Sequence, residues 1–114
     1  MNIKKVYIAG PLNADAVGYL KNINIMLRMA EKVRKAGYSV FVPCLDLLMG
    51  IMAGDYEYKD YFNNNMAWLE ASDCVLVLPN SQNSLGTQEE IAWALSKKIP
   101  IYHSLEQMCR EQKA

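Results

Sequence analysis

The sequence predicts a three-layer, doubly wound α/β domain with a four- to five-stranded, mainly parallel sheet. Short apolar runs rich in β-branched residues alternate with longer segments of helical periodicity, in the order βαβαβαβα. Strands that are apolar throughout are typical of a parallel sheet that helices cover on both faces. A chain of 114 residues has the size of one domain, predicted here at residues 1–114.

The first predicted strand and helix form half of a βαβ unit. Residues 6–9 are a short apolar run that ends at Gly10 and Pro11, which predicts a buried strand followed by a loop. A helix is predicted at residues 17–36, where apolar side chains recur every three or four positions: Leu20, Ile23, Leu27 and Ala30. Gly37 is the residue type expected just after a helix end.

The rest of the chain repeats this alternation. Further strands are predicted at residues 38–42, 74–78 and 99–103, and further helices at 60–71, 85–97 and 105–111. This topology is flavodoxin-like or Rossmann-like, and such sheets bind ligands beyond the carboxyl ends of their strands. The loops that begin at Gly10, Pro43 and Asn80 are therefore the expected binding region.

One connection is unusually long. Residues 43–59 separate the second strand from the next helix and contain two methionines, two glycines and two tyrosines. A long loop in a small domain is typical of a functional lid or a subunit contact. A short additional helix at residues 45–52 is the alternative interpretation.

Composition excludes several classes of partner. Twelve basic residues balance twelve acidic ones, so no strong positive field would attract nucleic acid or an anionic membrane. The three cysteines are odd in number and lack zinc spacing, which fits a reducing compartment. No run approaches the roughly 20 apolar residues of a membrane span. We therefore expect a cytoplasmic protein that binds neither nucleic acid nor membrane and needs no metal or cofactor.

The densest polar cluster lies between the third strand and its helix. Residues 83–90 read NSLGTQEE, a small glycine-containing turn at a helix start. Backbone N–H groups and the helix dipole make such a turn suitable for a phosphate. Thr87 and Glu90 also have the spacing of a capping box, in which both side chains only satisfy free amides of the first turn. Spacing alone leaves both interpretations open.

Three motifs in order resemble the nucleoside 2-deoxyribosyltransferase superfamily. They read VYIAGP at residues 6–11, NxxWLxxSDCVLV at 65–77 and SLGTxxEIAWAL at 84–95, and together they span nearly the whole chain. The branch they look most similar to comprises the 2′-deoxynucleoside 5′-monophosphate N-glycosidases and small, often phage-encoded proteins of the same pattern. The resemblance implies hydrolysis of the N-glycosidic bond of a nucleoside 5′-monophosphate.

The resemblance also implies roles for individual residues. Glu90 falls at the position of the family's nucleophilic glutamate, and a carboxylate beside C1′ suits an oxocarbenium-like transition state. Tyr7 matches a tyrosine whose hydroxyl orients that glutamate. Ser84 matches the serine that binds the 5′-phosphate, with Gly86 and Thr87 in the same turn. Gly10 and Pro11 would form the first loop against the ligand, although Gly10 is equally consistent with a simple turn.

One position departs from the family pattern. Asn65 stands where the family has an aspartate that binds the sugar hydroxyl and assists proton delivery. An amide hydrogen-bonds a hydroxyl but cannot transfer a proton as a carboxylic acid does. Three aspartates near the long connection are candidates to deliver the proton instead: Asp46, Asp55 and Asp60. The alternative is a catalytically inactive module that binds a nucleotide or a nucleotide signal.

Several aromatic residues lie near the long connection and the helix that follows it. Four aromatic side chains are candidates to stack on a nucleobase, or else to pack the long connection or a subunit interface: Tyr56, Tyr58, Tyr61 and Trp68. Members of the superfamily generally assemble, so the resemblance implies a homodimer or a larger homo-oligomer. The expected ligand is a small-molecule nucleotide or nucleoside.

Overall fold

The computed structural model describes residues 4–12 and 14–112, apart from the side chains at positions 47 and 48. Residues 1–3, 13 and 113–114 of the predicted domain lie outside this described part. The strands are β1 (Lys5–Ala9), β2 (Ser39–Phe41), β3 (Cys74–Val77) and β4 (Ile101–Tyr102). The helices are α1 (Ala16–Lys35), α2 (Asp46–Ala53), α3 (Tyr58–Glu70), α4 (Leu85–Ser96) and α5 (Leu105–Gln112), with a 3₁₀ turn at Pro43–Leu45.

The four strands form one parallel sheet in the order β2-β1-β3-β4. Tyr7 lies in register with Phe41 on one side and Val75 on the other. The chain moves from β1 to one edge and then returns to the other side of β1, so the switch point lies between β1 and β3. The predicted α/β class and parallel sheet are confirmed, with four strands rather than five.

Alternate residues of the strands feed two separate cores. Val6 and Ile8 point to the face that α1 and α5 cover, whereas Tyr7 and Ala9 point to the face that α3 and α4 cover. All four side chains are fully buried. Burial on both faces explains why these strands are apolar at every position.

Helix α1 buries only some of the apolar residues that define its spacing. Leu20 is 67% exposed and Leu27 is 40% exposed, whereas Ala30 is buried and Ile23 packs against the core. Met26, Ala30 and Val33 are the buried residues of this helix, at i, i+4 and i+7. The helix carries apolar residues on two stripes, and packing against the sheet selects only one.

The long connection contains a short helix, α2, as the second of its two interpretations predicted. Helix α2 ends at Gly54, whose φ of +81° is the left-handed conformation that glycine adopts without strain. A capping box of Glu57 and Asp60 then starts α3, in which the Glu57 N–H donates to Asp60 Oδ2 at 2.8 Å. The connection is therefore structured, and it brings α2 and α3 to the carboxyl edge of the sheet.

Two further observations concern the ends of elements. Gly37 follows α1 with φ of +100°, as its residue type predicted. β4 is two residues long, shorter than the predicted 99–103. Among the described residues, every helix is too short or too polar to cross a membrane.

Candidate active site

A cavity of about 570 Å³ opens beyond the carboxyl ends of β1, β2 and β3. This volume is typical of a site for a small organic ligand. The loops after these three strands form its walls, together with the start of α1, the inner face of α3 and the first turns of α4. Its polar and charged lining residues are Asp46, Asn65, Asn80, Asn83, Ser84, Thr87 and Glu90.

A tyrosine and a glutamate meet at the base of this cavity. Tyr7 is fully buried on β1, and its hydroxyl donates a hydrogen bond to Glu90 Oε2 on α4. Glu90 is partly buried and lines the cavity. The two residues are 83 positions apart in the chain, so the pairing depends on α4 packing against the sheet. The Tyr7 hydroxyl thus holds Glu90 Oε2 in place at the edge of the sheet where ligands bind.

Burial governs the ionisation of both partners. Burial raises the pKa of Glu90 to about 8, with Glu89 and Asp46 adding to the effect, while the Tyr7 hydrogen bond opposes it. Burial and the adjacent Glu90 raise the pKa of Tyr7 far above its usual range. Tyr7 therefore keeps its proton and remains a hydrogen-bond donor. A carboxylate with such a displaced pKa in a cavity is characteristic of a functional site.

The turn before α4 presents amide groups to the same cavity. Ser84 is the N-cap: its Oγ accepts hydrogen bonds from the Thr87 N–H at 3.2 Å and the Thr87 hydroxyl at 2.8 Å. The N–H groups of Leu85 and Gly86 then have no acceptor inside the helix. These two amides, at the positive end of the helix dipole, form a site suited to an anion.

The capping-box interpretation of Thr87 and Glu90 is wrong. Because Ser84 is the N-cap, Thr87 is already the third helical residue and Glu90 lies nearly a full turn further along. The carboxylate of Glu90 binds Tyr7 instead of a backbone amide. Glu90 is therefore available to the cavity and is not a part of the helix start.

The two glycines of the predicted site differ in their surroundings. A Cβ at Gly10 would collide with the side chain of Leu78, just after β3, so a larger residue here would force Leu78 to shift. Gly10 still lines the cavity, as does Pro11. A Cβ at Gly86 would have no neighbour within 4 Å, which leaves the space above the first turn of α4 open.

Two polar side chains in the wall have an unpaired oxygen. Neither Asn65 Oδ1 nor Asp46 Oδ2 has a hydrogen-bond partner among the described residues, although both atoms are buried. Burial raises the pKa of the Asp46 carboxyl, and the side chain of Asn64 opposes this in part. Asp46 and Asn65 both line the cavity.

The described lining of the cavity is without a positive side chain. Within residues 4–12 and 14–112, with the side chains of 47 and 48 set aside, no lysine, arginine or histidine lines it. Two carboxyl groups, Asp46 and Glu90, do line it. An anionic group of a ligand would therefore depend on the amides at the start of α4.

The structure separates the predicted aromatic residues. Tyr58 and Tyr61 line the cavity, whereas Tyr56 packs on Tyr61 at 5.0 Å between ring centroids, outside the lining. Trp68 is 52% exposed and stacks on Phe41, away from the cavity. The aromatic lining also includes two residues that the motifs did not single out: Tyr19 and Phe62. Tyr19 lies in α1, shortly after the loop that follows β1. Its position near the carboxyl end of a strand could have identified it as a lining residue from the sequence.

Seven of the eight predicted site residues line the cavity, and Tyr7 contacts it through Glu90. The seven are Gly10, Pro11, Asn65, Ser84, Gly86, Thr87 and Glu90. Of the three aspartates considered as proton donors, only Asp46 is in the wall. Asp60 caps α3, and Asp55 is exposed outside the lining.

Comparison with protein families gives one match over most of the chain. A family model described as a domain of unknown function, DUF4406, matches residues 4–103. The comparison with curated proteins finds no match.

Solved structures share the fold at low sequence identity. A 2-deoxyribosyltransferase from Bacillus psychrosaccharolyticus superposes with a TM-score of 0.68 at 19% identity, covering 85% of this chain and 69% of that one. A conserved protein from Enterococcus faecalis V583 superposes with a TM-score of 0.72 at 21% identity. The match covers 88% of this chain and 62% of that protein. A 2-desoxiribosyltransferase from Leishmania mexicana superposes with a TM-score of 0.61 at 16% identity. The match covers 86% of this chain and 61% of that protein. The chain thus spans about three fifths of the last two proteins.

Proposed function

Because the chain belongs to DUF4406, a nucleoside 2-deoxyribosyltransferase-like family, we propose that it hydrolyses the N-glycosidic bond of a nucleoside 5′-monophosphate with Glu90 as nucleophile. The observation that carries this proposal is the Tyr7–Glu90 pair at the base of a ligand-sized cavity. Two of the structurally similar proteins are deoxyribosyltransferases, which favours glycosyl chemistry on a nucleoside-type substrate.

The chemistry of the bond explains why a buried carboxylate suits it. As the C1′–N bond breaks, positive charge develops on C1′ and the ring oxygen, and an adjacent carboxylate stabilises that charge. The surroundings that raise the pKa of Glu90 also deprive its charged form of water. A developing cation therefore interacts with Glu90 more strongly than it would in bulk solvent. Glu90 would form an ester with C1′, which water then hydrolyses.

The start of α4 supports the choice of a 5′-monophosphate. In the absence of a described cation in the lining, the free amides of Leu85 and Gly86 are the groups suited to a phosphate. The turn opens into the same cavity as Glu90, so one nucleotide would place its phosphate at α4 and its C1′ near the carboxylate. The aromatic rings of Tyr58 and Tyr61 are suited to the base.

The direct test is product analysis. Purified protein is incubated with ribo- and deoxyribonucleoside 5′-monophosphates and with the matching free nucleosides, and free base is separated by chromatography. We expect free base from one or more monophosphates. Release from free nucleosides alone would contradict the phosphate assignment while keeping the glycosidic chemistry.

A second candidate is a binding module without catalysis. Asn65 favours it, because the side chain that stands at the family's acidic position cannot transfer a proton. Such a module would be thermally stabilised by a nucleotide and would return it unchanged. If every nucleotide survives long incubation while some raise the Tm, the hydrolase proposal is wrong and the binding module replaces it.

Tyr7→Phe tests the hydrogen bond to Glu90. The ring stays in the core, but Glu90 loses the donor that orients it and favours its ionised form. A hydrogen bond to a charged group contributes about 1.5–3 kcal/mol, so we expect kcat/KM to fall roughly 10- to 100-fold. Steady-state kinetics would measure this fall. Tyr102→Phe, which removes a buried hydroxyl that pairs with Gln112, is the matched control, and equal losses in both variants would contradict the role of Tyr7.

Ser84→Asp tests the phosphate position. Aspartate is as good an N-cap as serine, so α4 should still form. A carboxylate at this position would oppose a bound phosphate, and like charges placed together cost several kcal/mol. We expect kcat/KM for monophosphates to fall about 100-fold, while kcat/KM for free nucleosides does not fall.

The control places the same substitution at another helix start. Ser104 Oγ accepts a hydrogen bond from the Gln107 N–H at 3.1 Å, outside the cavity lining. Ser104→Asp should leave both activities within about twofold of wild type, as is usual for a surface change. If Ser84→Asp lowers kcat/KM equally for monophosphates and for free nucleosides, Ser84 does not select the phosphate.

A further inference from the structure

Two residues of the cavity wall, on different elements, each carry a buried oxygen atom without a partner among the described residues. Asp46 Oδ2 comes from the first turn of α2, and Asn65 Oδ1 from α3. The Asp46 residue is only 9% exposed. A buried polar atom without a hydrogen bond costs about 1–3 kcal/mol, so its position favours a polar group of a bound molecule as the partner. Asp46 is thus a second carboxyl group in the cavity of Glu90.

We propose that Asp46 is the general acid of this site and protonates the departing nucleobase. The inference rests on the proposed N-glycoside hydrolysis. A base that leaves as an anion is a poor leaving group, and protonation by a positioned carboxylic acid typically accelerates such steps about 10²- to 10⁴-fold. Asn65 cannot provide that proton. Asp46 is the carboxyl group, besides the nucleophile, that lines the cavity among the described residues.

The positions of the other aspartates in this region exclude them from the role. Asp60 accepts the Glu57 N–H at 2.8 Å and so is committed to the cap of α3. Asp55 is exposed and is not in the cavity wall. Asp46 differs from both because it follows β2 directly, through the 3₁₀ turn, at the edge where the sheet binds ligands.

The surroundings of Asp46 suit a proton donor. Burial raises the pKa of its carboxyl, which favours the acid form, although the hydrogen bond from the Asn64 side chain opposes this in part. The titratable groups that face it are Cys44 beside it, Tyr19 on α1, Tyr7 on β1 and Glu90 on α4. None of these carries a positive charge that would favour loss of the proton.

The reaction balances with these two carboxyl groups and one water. In the first step the C1′–N bond breaks, its electron pair and the Asp46 proton pass to the base, and Glu90 forms an ester bond to C1′. In the second step water attacks C1′, the ester bond breaks, and Asp46 takes the proton from the water. The products are free base and sugar phosphate, with both carboxyl groups restored.

Methylation of the leaving base separates this role from a structural one. A purine methylated at N7 already carries a positive charge and leaves as a neutral molecule without a proton. The experiment measures kcat/KM for 2′-deoxyguanosine 5′-monophosphate and its N7-methylated form, with wild type, Asp46→Asn and Asp55→Asn. For Asp46→Asn we expect a loss of at least about 100-fold on the unmethylated substrate and less than about threefold on the methylated one. Asp55→Asn should match wild type on both.

Each other outcome has a definite meaning. Equal losses on both substrates, with an unchanged circular dichroism spectrum, would show that Asp46 holds the sugar or the fold and would overturn the acid role. No loss on either substrate would also overturn it. Absence of base release by wild type from every ribo- and deoxyribonucleoside 5′-monophosphate, these two included, would overturn the proposed function itself, and the role of Asp46 with it.

Wild-type protein gives a second readout if Asp46→Asn does not fold. The ratio of kcat/KM for the methylated substrate to that for the unmethylated one cancels ionisations that both reactions share, including that of Glu90. The ratio should rise with pH, because only the unmethylated base depends on a protonated acid. A ratio that stays constant from pH 5 to pH 6.5, below the range in which the N1–H of the methylated base itself ionises, would overturn the proposal.

Discussion

Glu90→Gln is expected to lower base release about 10⁴-fold, because removal of a catalytic nucleophile typically causes losses of this order or larger. Glutamine keeps the size of the side chain and can still accept the Tyr7 hydrogen bond, but it cannot stabilise positive charge at C1′ or form the ester. Single-turnover kinetics with chromatography of the base would measure the loss. The thermal melting curve should show that the variant remains folded.

The adjacent residue provides a matched control for this substitution. Glu89 is an exposed carboxylate on the same helix turn, and it contacts the Tyr58 hydroxyl at 3.3 Å rather than Tyr7. Glu89→Gln should keep base release within about threefold of wild type, as expected for a surface change. Equal activity of Glu90→Gln and Glu89→Gln would contradict the assignment of Glu90 as nucleophile.

The fold was predictable because its strands are buried on both faces. Continuous apolar runs such as residues 6–9 and 74–78 identify parallel strands without any alternation. The buried stripe of α1 was not predictable, because Leu20 and Leu27 have the same spacing as the residues that do face the sheet. Sequence periodicity identifies the helix, but only packing selects the stripe that is covered.

The site was predictable in its family motifs and less so in its local chemistry. The Tyr7–Glu90 contact joins residues 83 positions apart, so the motif resemblance, and no local pattern, suggested it. Ser84 and Thr87 are both good N-cap residues three positions apart, and spacing could not show which one starts α4. Asp46 was one of three equivalent aspartates in sequence, and only its burial against the cavity distinguishes it.

The raised pKa of Glu90 has a consequence for stability that does not depend on activity. Burial raises this pKa from 4.5 to about 8, so the folded protein binds a proton more tightly than the unfolded chain does. The stability that this proton contributes is fully present below about pH 4.5 and is lost as the pH rises towards 8. A pKa difference of one between the folded and unfolded states corresponds to about 1.36 kcal/mol, so the total loss is on the order of 5 kcal/mol.

We therefore expect wild type to lose stability between pH 5 and pH 8 relative to Glu90→Gln, by up to about 4 kcal/mol. Urea unfolding at pH 5, 6, 7 and 8 would measure the difference, with Glu89→Gln expected to follow wild type. A difference that is constant over this range would mean that Glu90 is ionised in the folded protein at pH 5. The carboxylate would then be stabilised by groups other than the Tyr7 hydroxyl, and the argument that desolvation strengthens its interaction with a developing cation would lose its basis.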